Sequence, residues 1–589
     1  MINPNLAARW SFDRKTAVLI LYVIAIWLFT HGYHGISHDG LFYAVQALFH
    51  LDPGSFRQDL FFLFGSQDDF TLFGRVYAIL IAWFGLNRAT VGLLLAAQAF
   101  WIVGAVAVIR QIYKDELQWS ALVLLIALPS HYGSERVFSY AESVLTARLL
   151  AEAFSLAGIA LAMAGRTGLS LALCALAALF HPIMALPAIA FAILSRLRFG
   201  AAVALVLSSL ILLGVMVSVP TSYLPGRLGI MDDVWYALAV EHSPFSFIDQ
   251  WTAMEYGEIL LLVTVLGYAA LRAPEPLRGA ARTVLLITTA LLTAAWVGTV
   301  THHAILIQAQ FWRVLWLTKI FAILVAVWLF AQYWGRSRYH KLVLAGLAVT
   351  ALAPRVISAL VAAEMSIGLI VVAVVGIHLI WVLLLVPVLP GGWLVEGKKW
   401  QLLALVFVLE FLLLSVYWWD RRKMEPMRVC RETPGCLAEI DHHLPKNAVI
   451  YWQDAFEIAW FVLRRPHYGS SFQAAGLLYH RETAIEARRR VARLEKLGVL
   501  DGIFDWHRMT LKNKPKPQLK FDGLVHVCHD PAVDFLVLEG EFQQASPRAF
   551  DEPLLNTRFF VYDCRLVRER FTDPYAALSM LDHFRNEDG

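Results

Sequence analysis

The stretch SHDGLFYAVQALFHLDPGSFRQDLFFLFGSQDDF, residues 37–70, mixes five acidic residues with many aromatic ones directly after the first long apolar segment. Its apolar parts are too short to cross a bilayer, because a spanning helix needs about 20 apolar residues. Short amphipathic helices lie in the membrane interface instead. We therefore expect residues 37–87 to form a first outer loop with interfacial helices, with Asp39 at its start.

The whole chain has the composition of a membrane protein. Of its 589 residues, 58% are hydrophobic and only 16% are charged, and its mean hydropathy is +0.58. A soluble domain carries about 25% charged residues. The net charge of +4 does not indicate nucleic-acid binding, because the Lys and Arg residues stand in short clusters between apolar segments.

Apolar segments of near-spanning length predict about 13 transmembrane helices. They are residues 16–36, 88–110, 118–131, 143–165, 168–180, 182–195, 200–219, 255–271, 281–301, 313–333, 341–358, 366–389 and 400–418. Basic residues concentrate in alternate loops, which places the N-terminus in the cytoplasm. The first segment has no small-residue cleavage pattern, so we interpret it as a retained helix. An odd number of spans then places the C-terminal part outside the cytoplasm.

Residues 421–589 are more polar and predict a small α/β domain. AVIYW (448–452), DFLVLEG (534–540) and RFFVYDCRLV (558–567) have the character of strands, and residues 481–498 predict a helix that ends at Gly498. Disulfides form in oxidising compartments. The simplest of three pairings joins Cys430 to Cys436 and Cys528 to Cys564, and free buried thiols are the alternative.

Charged residues within or beside the spans are the candidates for function, because they are costly there unless they are paired or hydrated. Asp39, between His38 and Gly40, is a candidate general base, and a solvated loop acid is the alternative. Arg148 has a planar guanidinium that suits a phosphate. Its spacing from Glu152 predicts an i, i+4 pair. Arg313 near a helix start is unfavourable unless an anion binds it.

Seven further residues are candidates for substrate contacts: His38, Tyr43, Asp59, Arg136, Glu142, His181 and His302. The acids suit sugar hydroxyls or a divalent ion, and the basic side chains suit a lipid phosphate. Two structural alternatives stay open, because Tyr43 fits an aromatic belt and His181 before Pro182 fits a helix kink. The adjacent His302 and His303 do not share one helix face and are poor joint metal ligands.

These features, in this order, resemble the polytopic glycosyltransferases of the GT-C fold, which use polyprenyl-phosphate sugars. The likeness rests on Asp39 in SHDGLFYAVQALF, the 37–87 loop, the span count and the C-terminal domain. SYAESVLTARLLAEAF (139–154), LFHPIMALP (179–187) and QFWRVLWL (310–317) look like uncharacterised bacterial relatives. The resemblance implies a mainly α transmembrane domain over 1–420 and an extracytoplasmic α/β domain over 421–589, in a bacterial inner membrane with a periplasmic C-terminus.

The resemblance implies an inverting transfer of a sugar from a polyprenyl-phosphate donor to an extracytoplasmic glycan, lipid or protein, with Asp39 as general base. No nucleic acid is a partner. His38 beside Asp39 departs from a paired-acid pattern, which leaves dependence on a divalent cation, Mg²⁺ or Mn²⁺, open. The alternatives are a multi-span transporter or flippase whose buried charges line a path, and a non-catalytic envelope protein that binds a lipid carrier.

Overall fold

The computed structural model is mainly helical and describes residues 14–114, 116–218, 229–342, 344, 398–420, 428–505 and 518–576. The helices up to residue 420 are α1 (Arg14–Thr30), α2 (Gly40–Leu51), α3 (Phe73–Phe84), α4 (Leu86–Ile112), α5 (Leu117–Ala127), α6 (Ala147–Met163), α7 (Thr167–Phe180), α8 (Pro182–Leu194), α9 (Phe199–Ser218), α10 (Asp233–His242), α11 (Ala253–Arg272), α12 (Leu277–Val300), α13 (Ala304–Gln308), α14 (Leu315–Tyr333) and α15 (Lys398–Trp419). Most of them pack around one large apolar core, whereas α10 and α13 contribute to a second core shared with residues of the C-terminal part.

The expected count of about 13 spans is not confirmed. Among the described residues, five helical segments are long and apolar enough to cross a membrane: Leu86–Ile112, Phe199–Ser218, Ala253–Arg272, Leu277–Val300 and Ala304–Tyr333. The predicted spans 341–358 and 366–389 lie outside the described residues, apart from 341, 342 and 344.

Two of the predicted spans are short because residues 128–146 leave the helical path. The segments predicted over 118–131 and 143–165 become α5, with 11 residues, and α6, with 17 residues. Between them Gly133 adopts φ +76°, and β1 (His131–Tyr132) pairs with β2 (Phe138–Ser139) as an antiparallel hairpin. This irregular segment, which we call the 128–146 segment, supplies several side chains of the candidate site.

The first loop contains two short apolar helices, α2 and α3, with 12 residues each. Gly40 opens α2 against the backbone of Leu145, where a Cβ atom would lie 3.5 Å from the carbonyl oxygen. Asp39, the residue before α2, is thereby placed beside the end of the 128–146 segment.

Beyond residue 428 the chain forms a four-stranded sheet in the order β3-β4-β6-β5. The strands are β3 (Ile450–Trp452), β4 (Phe535–Leu538), β5 (Arg548–Glu552) and β6 (Thr557–Asp563), and the helices are α16 (Arg428–Glu432), α17 (Ala438–His443), α18 (Phe456–Ile458), α19 (Arg481–Leu497), α20 (Phe521–Cys528) and α21 (Cys564–Arg570). β3 and β4 are parallel, whereas β6 is antiparallel to both β4 and β5.

The sequence predicts most of the helix and strand boundaries of this domain that local rules determine. α19 ends at Gly498, which has φ +89° and takes the left-handed conformation that glycine tolerates best. The strand predicted over 558–567 is wrong beyond Asp563, because the Asp563 carboxylate accepts the backbone N–H groups of Arg565 and Leu566 and caps α21. Strand β5 was not predicted. The disulfides join Cys430 to Cys436 and Cys528 to Cys564.

Asp59 fastens the first loop to the C-terminal domain. Its Oδ1 accepts the backbone N–H of Phe61 at 2.9 Å and the Gln473 amide at 2.8 Å. Its Oδ2 accepts the Trp460 indole N–H at 2.7 Å and the backbone N–H of His467 at 2.8 Å. The side chain is fully buried. Both oxygens are occupied, so we assign Asp59 a structural role rather than the sugar contact suggested by its charge.

Replacing Asp59 by asparagine is expected to destabilise the fold. The new NH₂ group faces two donors, and each buried group left without a partner costs about 1 to 3 kcal/mol. Thermal unfolding of the detergent-purified protein should therefore shift to a clearly lower temperature for Asp59→Asn. The matched control is Asp52→Asn, because Asp52 is exposed on the same loop and accepts from Ser55. Equal melting temperatures for the two variants would contradict the anchoring role.

Candidate active site

Arg148, in the first turn of α6, joins two carboxylates that are distant in sequence. Its Nη1 lies 2.8 Å from Oδ2 of Asp39. Its Nε and Nη2 donate to Oε1 of Glu142 at 3.0 and 2.7 Å. The Arg148 side chain is only 3% exposed, whereas that of Asp39 is 17% exposed. We call Asp39, Glu142 and Arg148 the Arg148 triad.

The predicted pair between Arg148 and Glu152 is wrong. Helical spacing does not relate Glu142 to Arg148, because Glu142 precedes α6, which begins after Thr146 in an extended conformation. The chain therefore folds back and brings the Glu142 carboxylate to the guanidinium. Glu152 instead accepts the Trp101 indole N–H at 3.0 Å and the backbone N–H of Ala141 at 2.9 Å, both on Oε2.

The charges around Asp39 keep it ionised. Nδ1 of His38 lies 3.3 Å from Oδ1 of Asp39. Burial raises the pKa of the Asp39 carboxyl, but His38 and Arg148 outweigh burial and hold that pKa below its ordinary value. At neutral pH Asp39 is therefore a carboxylate with one partly accessible face.

Arg313 is a second buried cation beside the triad, and it lacks an anionic partner. It is 7% exposed, and its Nε donates to the Gln310 side-chain oxygen at 2.7 Å. Its Nη1 has no hydrogen-bond partner among the described residues. Among the described residues no carboxylate lies within ion-pair distance of Arg313, although the Asp39 carboxylate is within electrostatic range. A buried charge without a partner is costly, which makes this guanidinium the obvious place for an anion.

One aromatic ring contacts both guanidinium groups. The Phe138 ring centroid lies 4.8 Å from Cζ of Arg148 and 4.1 Å from Cζ of Arg313, distances that suit cation–π contact. Trp312 packs on Phe138 and approaches Gly133 so closely that a Cβ atom there would lie 2.6 Å from the indole. Glycine at position 133 therefore leaves the space that the Trp312 indole occupies beside Arg313.

Four more side chains lie within electrostatic range of these arginines. Tyr43, Tyr132 and Tyr479 interact with both Arg148 and Arg313, and so does His181. His181 also accepts the backbone N–H of Met184 on Nδ1 at 3.4 Å, at the start of α8. Tyr479 comes from the C-terminal domain, so both parts of the chain contribute to the site.

The structure brings together most but not all of the predicted residues. Asp39, His38, Tyr43, Glu142, Arg148, His181 and Arg313 converge. His302 lies elsewhere and stacks on Tyr236 with ring centroids 3.6 Å apart. The backbone of Arg136 belongs to a short helical turn of the 128–146 segment, Ser134–Arg136.

Sequence reasoning missed Tyr132, Phe138 and Tyr479. Each is uncharged, so the search for charges within apolar segments did not register them. Phe138 does stand close in sequence to the candidate Glu142, and Gln310 could be noted from the sequence as a polar residue beside Arg313. Nothing local distinguishes Tyr479 from the other tyrosines of its domain, because its role depends on how the two parts of the chain pack.

No family model and no curated protein matches the sequence. Three solved structures of oligosaccharyltransferase from Archaeoglobus fulgidus are similar in fold. The archaeal enzyme AglB, in complex with an inhibitory peptide and a dolichol-phosphate, has 12% identity and a TM-score of 0.42 over 95% of this chain and 75% of AglB. The apo form has 10% identity and a TM-score of 0.39 over 90% of this chain and 70% of the enzyme. The complex with Zn and sulfate has 12% identity and a TM-score of 0.30 over 88% of this chain and 67% of the enzyme.

At these identities and TM-scores the comparison carries no argument about function, which is inferred below from the residues of the site.

The residues of the site do not fit a divalent cation. Hard cations take several oxygen ligands, yet the oxygens of Asp39 and Glu142 already face His38, Arg148 and Thr146. Among the described residues, no group of three or more His, Cys, Asp or Glu side chains converges as a metal site. We therefore derive no step through a metal ion.

The unpartnered guanidinium predicts that a bound phosphate group stabilises the protein through Arg313. Farnesyl phosphate at about 100 times its Kd should add about 2.7 kcal/mol to the free energy of unfolding, and Arg313→Gln should remove this gain. Without ligand the variant should melt no lower than the wild type, because a buried unpaired charge is lost. Thermal unfolding with and without farnesyl phosphate measures both effects.

The control for this prediction is Arg278→Gln, which removes an exposed arginine paired with Glu275 and should keep the full stabilisation. The same gain in Arg313→Gln as in the wild type would contradict the assignment of Arg313.

Proposed function

We propose that the protein is a membrane glycosyltransferase that moves a sugar from a polyprenyl-phosphate donor to an acceptor hydroxyl or amide. The observation that carries the proposal is that one site contains both an ionised, partly accessible carboxylate, Asp39, and a buried guanidinium without a bound anion, Arg313. The phosphate of the donor supplies the missing anion. The acceptor supplies the proton that a carboxylate can take.

The position of Arg313 in the fold suits a lipid substrate. It follows α13 and precedes α14, within the apolar segment Ala304–Tyr333 that is long enough to span a membrane. Its surroundings are aromatic and apolar rather than open to bulk water. A phosphate carried on an isoprenoid chain can reach such a place from the lipid phase, whereas a sugar nucleotide would have to lose more hydration.

The reaction needs two groups, and the site supplies both. The acceptor oxygen or nitrogen bonds to the anomeric carbon while the bond from that carbon to the phosphate oxygen breaks, and the electron pair leaves on the phosphate. Arg313 stabilises the charge that develops on the leaving phosphate, which is usually the largest catalytic contribution. Asp39 takes the proton of the acceptor, which becomes acidic as its new bond forms.

The C-terminal domain would complete the site by presenting Tyr479. Its phenol group is half-buried and interacts with Arg148 and Arg313. The segment before it is tied to the bundle, because the Trp235 indole N–H donates to the carbonyl of Leu477 at 2.7 Å and the His242 ring bonds the carbonyl of Ser471 at 2.8 Å. These contacts hold the segment before Tyr479 against the bundle, and we propose that the Tyr479 hydroxyl donates to the donor phosphate.

The proposal includes the membrane topology that the basic residues of the loops favour, with the N-terminus in the cytoplasm. The site would open outside the cytoplasm of a bacterial inner membrane, with the C-terminal domain in the periplasm and a glycan, lipid or protein as acceptor. The oxidising periplasm suits the two disulfides of that domain.

Sugar transfer by the purified protein tests the role of Asp39. General-base catalysis contributes about 10² to 10⁴-fold, so Asp39→Asn should lower the rate of transfer from polyprenyl-phosphate sugars by that factor while Asp52→Asn leaves it unchanged. Equal rates for the wild type and Asp39→Asn would remove Asp39 as the base.

A complete lack of transfer with every donor would favour the transporter or lipid-carrier-binding alternatives. Both still predict binding of an isoprenoid phosphate at Arg313, so that binding alone does not separate them from an enzyme.

Tyr479→Phe tests the contribution of the C-terminal domain, because it removes one hydroxyl and keeps the ring. A hydrogen bond to a charged group is worth about 1.5 to 3 kcal/mol, so the KM for the donor should rise about tenfold or more. The control is Tyr339→Phe, an exposed tyrosine beyond the end of α14. An unchanged KM would exclude the hydroxyl from the donor site.

A further inference from the structure

Two carboxylates face each other across one positive group in the Arg148 triad. Oδ2 of Asp39 lies 2.8 Å from Nη1 of Arg148, and Oε1 of Glu142 accepts from Nε and Nη2 of Arg148 at 3.0 and 2.7 Å. The other oxygens are also engaged, Oδ1 of Asp39 by His38 at 3.3 Å and Oε2 of Glu142 by the Thr146 hydroxyl. Every oxygen of the two acids already faces a group of the chain, so a metal ion shared by both would have to displace the Arg148 guanidinium.

Acids that converge from separate segments usually need a cation between them, because like charges repel strongly where water is excluded. A guanidinium can meet this need, since it stays protonated and offers donors in a fixed planar fork. Arg148 does so with three of its donors, and the Phe138 ring covers its face at 4.8 Å. The cation is therefore built into the chain.

We infer that Arg148 takes the place that a divalent cation would occupy between two carboxylates, and that the site works without bound metal. This inference rests on the proposed function for its role in sugar transfer, but the occupancy of the position by Arg148 can be tested by itself.

The charge balance of the site follows from this substitution. The ionised triad carries one negative charge in total, from two carboxylates and one guanidinium, and Arg313 stands beside it as a second buried cation. Because two acids already share the single positive charge of Arg148, this residue contributes little electrostatic stabilisation to the leaving phosphate. Arg148 is thus a positioning residue for Asp39, and Arg313 is the group that receives the phosphate.

Manganese binding, measured by the loss of the electron paramagnetic resonance signal of free Mn²⁺, tests the inference directly. The detergent-purified wild-type protein should take up no Mn²⁺ that depends on Asp39. Arg148→Ala should gain one Mn²⁺ site, because the two carboxylates then share a vacant position, and adding Asp39→Asn to that variant should abolish it.

Two results of the titration would overturn the inference. The first is uptake by the wild type that Asp39→Asn removes, and this comparison holds even if Arg148→Ala fails to fold. The second is a folded Arg148→Ala variant that gains no site, since the guanidinium would then not stand in a cation position.

Sugar transfer in the presence of EDTA gives the second readout. A metal-dependent enzyme would lose most of its rate when the ion is removed, whereas this protein should keep its rate within the error of the assay. Loss of transfer in EDTA with recovery in Mn²⁺ would overturn the inference and leave the proposed function intact. If no transfer occurs under any condition, the proposed function fails, and the Mn²⁺ titration still decides the role of Arg148.

Discussion

The bridge from Arg148 to Asp39 and Glu142 is the interaction on which the rest of the site depends. It joins the start of α2, the 128–146 segment and the first turn of α6 at one buried point. Removing one partner of a buried ion pair leaves an uncompensated charge, which costs about 3 to 5 kcal/mol. The bridge also fixes the direction of the Asp39 carboxylate, so the geometry of the candidate base and the packing of three segments have one cause.

The helical bundle and the C-terminal domain meet at the same region from two directions. Asp59 holds Trp460, His467 and Gln473 of the domain against the first loop, while Tyr479 lies within electrostatic range of Arg148 and Arg313. A site made in this way is complete only when both parts are folded together. The domain is therefore an integral part of the candidate active site and not an appendage to the membrane part.

Much of this site could be predicted from the sequence, for a physical reason. Charges are rare in apolar segments, so Asp39, Glu142, Arg148 and Arg313 stood out. Their partners could not be predicted in the same way, because helical spacing suggested Glu152 for Arg148 whereas a turn before α6 supplies Glu142. Asp59 looked like a substrate-binding acid, and only the packed structure reveals its four donors.

The regular elements of the C-terminal domain followed from local rules, as at Gly498, but Tyr479 depends on packing over a long separation in sequence. The central claim is that Arg313 receives the phosphate of a lipid-linked sugar, and a cryo-electron microscopy structure with a bound isoprenoid phosphate tests it most directly. We expect phosphate oxygens within about 3 Å of the Arg313 guanidinium, with Arg148 still bridging its two acids. A phosphate bound away from Arg313, or held by Arg148 in place of Asp39, would contradict the account.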